Sequence, residues 1–277
     1  MRNVRTITWL TFHEARRRRM VQAALGLGAV FLLLYIAGFS FVSREMQRVE
    51  PTQAARFFGY NLLLMAGFYV VHFLAVMLAI FASVDTISGE IASHTIQAIV
   101  TKPVRRWEVV LGKWLGYAGM VTLYLGLLAG GILLAVYLMV GYIPPNPLQG
   151  LALLLIEALV LLSLSLWGGT RFSTLTNGVM LFMLYGVAFI GSWVEQIGSL
   201  LQSGAAVRIG IITSLAMPVE SLWRRAAYLM QPPLLREMPM PFFMSTSVPS
   251  PAVVVYAALY ALVALALAMR AFERRDL

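Results

Sequence analysis

The chain has no cysteine among its 277 residues, which excludes disulfides, thiolate metal sites and a cysteine nucleophile. Charge is also scarce. Asp, Glu, Lys and Arg make up 12% of the residues, against roughly 25% in a soluble globular domain. The three histidines (His13, His72 and His94) are too dispersed along the chain to converge on one metal. No Walker A loop is present: the one Gly-Lys pair, Gly112-Lys113, is followed by Trp114 and lacks the upstream glycine at the required spacing. His-Glu-x-x-His and a Ser/His/Asp arrangement are missing too. These absences point away from an enzyme and from a cofactor held by this chain.

What the sequence has in abundance is apolar surface. Hydrophobic residues make up 60% of it, and the mean hydropathy is +0.81. Such a chain cannot cover itself with polar side chains, so its solvent is lipid. The net charge of +9 would suggest nucleic acid in a soluble protein, but here the placement of charge matters more. Arg16 to Arg19 stand directly before an apolar stretch, the pattern that retains the end of a membrane segment in the cytoplasm. A signal peptide is the competing reading. Against it, the run from Met20 to Val42 is longer than a typical h-region and no small-x-small cleavage site follows.

Six windows are long and apolar enough to cross a bilayer: 20–42, 59–82, 109–140, 150–168, 177–194 and 251–270. The expected fold is an all-α integral membrane protein forming a single domain over 1–277. One face, holding the N-terminal segment, the 83–108 loop with the head of the third span, the 169–176 loop and the C-terminal tail, carries 14 Lys and Arg; the other carries 7. Both termini are therefore expected in the cytoplasm. Residues 2–19 read as a helix lying in the membrane interface, attracted to anionic lipid, with Arg2, Arg5, His13 and Arg16 on one arc. Residues 84–99 have helical spacing, and Pro103 suits the first position of the next helix. This cytoplasmic helix-break-helix is longer than a connector needs and looks like a docking surface. Residues 195–250 are expected to form an outer cap on the ends of the spans. Within that cap, Pro218 opens a short helix with a stripe of Val219, Leu222, Trp223, Ala226 and Leu229, from which Arg224 and Arg225 point away.

Two ionisable residues fall inside spans, His72 in the second and Glu157 in the fourth. Either they line a transport or proton path, or they hydrogen-bond between helices. Gly112-x-x-x-Gly116 and Gly126-x-x-x-Gly130 permit close helix approach without specifying a dimer.

The loop between the second and third spans carries the most specific pattern. It runs Ile87-Ser88-Gly89-Glu90-Ile91, Thr95-Ile96-Gln97, Lys102-Pro103-Val104-Arg105-Arg106-Trp107-Glu108 and Leu111-Gly112-Lys113. With Ser173-Thr174-Leu175-Thr176, Pro218-Val219-Glu220-Ser221-Leu222-Trp223 and the ending Phe272 to Leu277, it resembles the type-2 ATP-binding-cassette (ABC) permeases over essentially the whole chain. One departure is His94, where the family usually has glycine. The resemblance implies a permease of a prokaryotic cytoplasmic membrane, working as a pair with a second copy or a sister permease. Two copies of a cytoplasmic ATPase, which hold the ATP and Mg, would drive it. Most relatives export drugs, lipids, polysaccharide precursors or factors for cofactor maturation.

The resemblance further implies that Glu90, His94, Thr95, Gln97, Lys102, Pro103, Arg105, Arg106, Trp107 and Glu108 meet the ATPase, with Glu90 transmitting motion through basic residues on that partner. A non-transporting structural subunit of a larger membrane complex is the alternative. Secondary transport is disfavoured because no internal half-and-half repeat is visible.

Overall fold

The computed structural model describes residues 2–48, 52–93, 104–233 and 248–275, and these form ten helices. They are α1 (Arg2–Arg17), α2 (Arg19–Arg48), α3 (Gln53–Ser83), α4 (Ser88–Ala92), α5 (Arg106–Val140), α6 (Pro147–Gly169), α7 (Thr174–Leu200), α8 (Gly204–Ala216), α9 (Val219–Met230) and α10 (Ala252–Glu273). Six of them, α2, α3, α5, α6, α7 and α10, are long and apolar enough to cross a bilayer. The six expected windows fall on these helices to within a residue, and each helix outruns its window at one end or both. Thr52 and Ser173 accept hydrogen bonds from Ala55 N and Thr176 N at the starts of α3 and α7. Gly141, at φ +66°, closes α5 with its N–H on Tyr137 O, and Pro147 opens α6.

Burial sorts the spans into a centre and a periphery. α3 and α6 are the enclosed pair, each with two thirds of its most apolar stretch buried, whereas in α2 that share is 11%. Leu64, Met65 and Phe68 of α3 and Leu154 and Leu161 of α6 are fully enclosed. Leu27, Val30, Leu33, Leu34 and Phe41 of α2 stand exposed, as side chains facing lipid do.

α1 packs along the first turns of α5, and the glycines of the third span explain how. A Cβ on Gly112 would stand 2.7 Å from Ile7 Cβ, and one on Gly116 would stand 2.8 Å from Thr11 Cβ. The first small-residue pair thus seats the chain's own N-terminal helix, while Gly126 and Gly130 meet nothing within 4 Å. Gly116→Leu should overpack this seat by about 1–3 kcal/mol. The expected result is a displaced α1, seen as new protease cleavage within residues 2–19 while the spans remain protected.

The segment after α7 departs from the expected cap. α8 folds back along α7, with Gly198 against Ala206, Gly191 against Thr213 and Gly210 against Glu195. At the break between α8 and α9 the chain turns by 105°. The last carbonyls of α8 are satisfied by the final span, where the hydroxyls of Tyr256 and Tyr260 donate to Leu215 O and Ala216 O. α9 then packs along α6 and meets α3 at its two ends, where Glu220 faces His72 and the Asn61 side-chain amide donates to Met230 O. His72 lies eleven residues before the end of α3, a height of about 16 Å at 1.5 Å per residue. That is about half of a ~30 Å hydrocarbon core. The α8–α9 pair is therefore re-entrant and reaches the middle of the bundle. The hydropathy pattern could not reveal this, because helices of 13 and 12 residues are each too short to register as a span.

Candidate functional site

Two polar centres stand out in the apolar bundle. The first is a platform at the end that carries both termini. The chain leaves α3 through Val84 to Ile87 and enters α4, and this short segment is clamped by three neighbours. From α7, Thr174 Oγ1 donates to Asp85 Oδ1 at 3.2 Å and shares a 2.8 Å hydrogen bond with Ser88 Oγ. From the same helix, fully buried Asn177 donates to Val84 O at 3.3 Å and to Ser165 O at 2.9 Å. Arg18, just past α1, lies 3.6 Å from Asp85 and 2.8 Å from Glu14. From α5, Lys113 is ion-paired with Glu90. A second small apolar core of Ile87, Val109, Val110, Leu166, Leu265, Ala268 and Phe272 lies beneath.

Asn177→Leu removes the donor to two buried carbonyls and should cost about 1–3 kcal/mol. A lowered Tm of the purified protein, with α-helix content intact, is the expected readout.

The structure distributes the sequence-predicted platform residues unevenly. Glu90 faces Lys113 of its own chain across the wall of a cavity of about 490 Å³, lined also by Ile7, Leu10, Thr11 and Val104. Glu108 caps α5: its Oε2 accepts from the backbone N of Arg105 at 3.0 Å and from Asn3 Nδ2 of α1 at 3.2 Å. The Arg106 guanidinium donates to the carbonyls of Glu273 and Arg275, joining the start of α5 to the end of α10. The side chain of Arg105 is exposed, and Trp107 is half-buried. His94, Thr95, Gln97, Lys102 and Pro103 lie outside the described residues. Sequence reasoning missed Arg18, Asp85, Lys113 and Asn177 as parts of this platform. Only Lys113 had a signal, as the last residue of the Leu-Gly-Lys pattern.

The second centre lies halfway along the bundle. His72 Nδ1 on α3 is 2.9 Å from Glu157 Oε2 on α6, in hydrogen-bonding geometry, and 2.8 Å from Oε1. Its Nε2 faces Glu220 Oε2 of α9 at 3.6 Å. All three side chains are at least 95% buried. Trp223 stacks on the imidazole with ring centroids 5.0 Å apart, and Tyr69 meets both rings. One turn along α9, Arg224 Nη2 donates to Glu195 Oε2 of α7 at 2.8 Å. Arg224 is thus buried and paired, not turned away from the bundle as the stripe pattern suggested. Among the described residues, no group of three or more His, Cys, Asp and Glu has an arrangement that could hold a metal ion.

The all-helical fold with six apolar spans agrees with the comparison to known families. The family of ABC-2 transporter proteins matches residues 6–277. The chain belongs to that family and is a multi-pass membrane transport component, a permease subunit rather than a catalytic one. Permeases of this family typically work with an ATPase subunit. No curated protein matches the chain.

Proposed function

We propose that this chain is the membrane-spanning half of an ATP-driven exporter of a prokaryotic cytoplasmic membrane, with both termini in the cytoplasm. It pairs with a second copy or a sister permease and is energised by a separate ATPase that carries ATP and Mg. The observation behind this reading is the clamped 83–93 segment on the basic end of the bundle. A motion imposed on α4 passes through Asp85, Ser88 and Val84 into α7, through Lys113 into α5, and through Arg18 into α1. A passive anchor has no use for such a branched connection. Substrate moves by alternating access as the platform displaces the spans, with His72 and Glu157 on the path that the spans enclose.

Gentle detergent extraction of the chain from native membranes, with identification of co-purifying proteins and an ATP hydrolysis assay, tests this proposal. An ABC ATPase that co-purifies with the wild type, and is lost when residues 84–108 are replaced by a flexible linker, is the expected result. Co-purification with another membrane assembly, and no nucleotide-binding partner, would establish the structural-subunit reading instead.

A further inference from the structure

We infer that His72, Glu157 and Glu220 form a proton-binding site that the re-entrant helix α9 completes, so that seating its tip among the spans takes up one proton. The inference concerns the bundle itself and does not depend on which substrate is carried.

Charge counting carries it. The cluster joins one imidazole to two carboxylates, all at least 95% buried. Even with the imidazole protonated its sum is −1. Among the described residues, the next charged pair along α9 does not change that sum: Arg224 of α9 is ion-paired to Glu195 of α7, and the pair is neutral. Among the described residues, Tyr69 on α3 and Tyr185 on α7 also lie near the carboxylates, and both are neutral phenols. An uncompensated charge in a low-dielectric interior costs several kcal/mol, and a buried group escapes that cost by changing protonation. The site has room for the proton. His72 Nε2, Glu157 Oε1 and Glu220 Oε2 are buried without a hydrogen-bond partner, and the first and last of these face each other at 3.6 Å. Two protons shared among the three side chains make the cluster neutral and supply the missing donors.

The contributions of the two parts differ. His72 and Glu157 belong to neighbouring spans and stay together as a neutral imidazolium–carboxylate pair when the tip withdraws. Glu220 arrives with α9. Withdrawn, it is a solvated carboxylate; seated, it joins a cluster that is neutral only with a second proton. Protons therefore favour the seated tip, and wherever the seated cluster holds the extra proton and the withdrawn state does not, each unit of pH shifts the balance about tenfold toward the withdrawn state. A cation other than the proton is a poor fit, because Na⁺ and Ca²⁺ require several oxygen ligands and Nε2 and Oε2 stand too close to admit one.

The absence of native cysteine allows a direct test. Val219, fully buried beside Glu220 at the tip, is replaced by cysteine in the full chain, reconstituted in lipid nanodiscs. Alkylation by a small maleimide is followed at reagent concentrations where the rate is first order in reagent. Ionisation of the thiol alone raises the rate about tenfold per pH unit below its own pKa. With one proton released on opening, V219C should show about a hundredfold per unit. Adding E220Q should return the slope to about tenfold, and E220D, which keeps a carboxylate, should restore the steeper one. A slope of about tenfold in V219C alone overturns the proposal even if E220Q fails to fold. So does an E220Q profile as steep as that of V219C, or a rate at fixed pH that changes when Na⁺ replaces K⁺.

Discussion

Arg224→Met should destabilise the folded protein by about 3–5 kcal/mol, enough to remove most of it from the monodisperse fraction after detergent extraction. The guanidinium is 3% exposed and bonds Glu195 Oε2 at 2.8 Å, so its removal takes this ion-pair partner from a carboxylate that is itself 4% exposed. The damage arises from the buried charge left behind more than from the lost attraction, because a buried pair scarcely outweighs the desolvation of its members. The double variant E195Q/R224M, which removes both charges, should therefore recover most of the lost stability. Arg224→Lys should fall between, since an ammonium carries the charge but not the planar fork. Apparent Tm of the four proteins in one detergent decides the matter. Equal Tm values for R224M and the wild type would mean that α7 and α9 are not held by this pair.

The spans were legible because lipid imposes a simple requirement, about 20 apolar residues in a row, and six windows meet it. The seat of α1 was half legible: Gly112 and Gly116 announce a close approach, but nothing local says that Ile7 and Thr11 are what approaches. The re-entrant pair was not legible. An apolar stripe with two arginines opposite it reads the same on a surface helix as on a helix buried against a charged partner. Only the fold brings Glu195 to Arg224, 29 positions apart, and Glu157 to His72, 85 apart. Interhelical hydrogen bonding was one of two readings for His72 and Glu157, and the contact is present; Glu220, between Pro218 and Trp223, looked like part of a cap. The platform shows the same limit. The resemblance points Glu90 toward a basic partner outside the chain, and nothing local pairs it with Lys113, 23 positions later.

That intrachain pair sets up the second large effect. Glu90→Lys places two ammonium groups where one ion pair stood, in a place where the Lys113 and Glu90 side chains are 5% and 14% exposed. The repulsion should push α4 away from α5, and binding of the ATPase proposed as its partner should fall at least tenfold, while insertion of the six spans is unaffected. The reciprocal change, Lys113→Glu, should do the same damage from the other side. The double exchange E90K/K113E then separates two roles. If Glu90 acts by holding α4 against α5, the reversed pair restores the geometry, and ATPase association returns to near the wild-type level. If the Glu90 carboxylate itself meets a basic residue of the ATPase, the double variant stays as defective as E90K. Affinity of the purified ATPase for each variant in nanodiscs gives the answer. The coupling energy of the cycle states how much of Glu90's effect passes through Lys113.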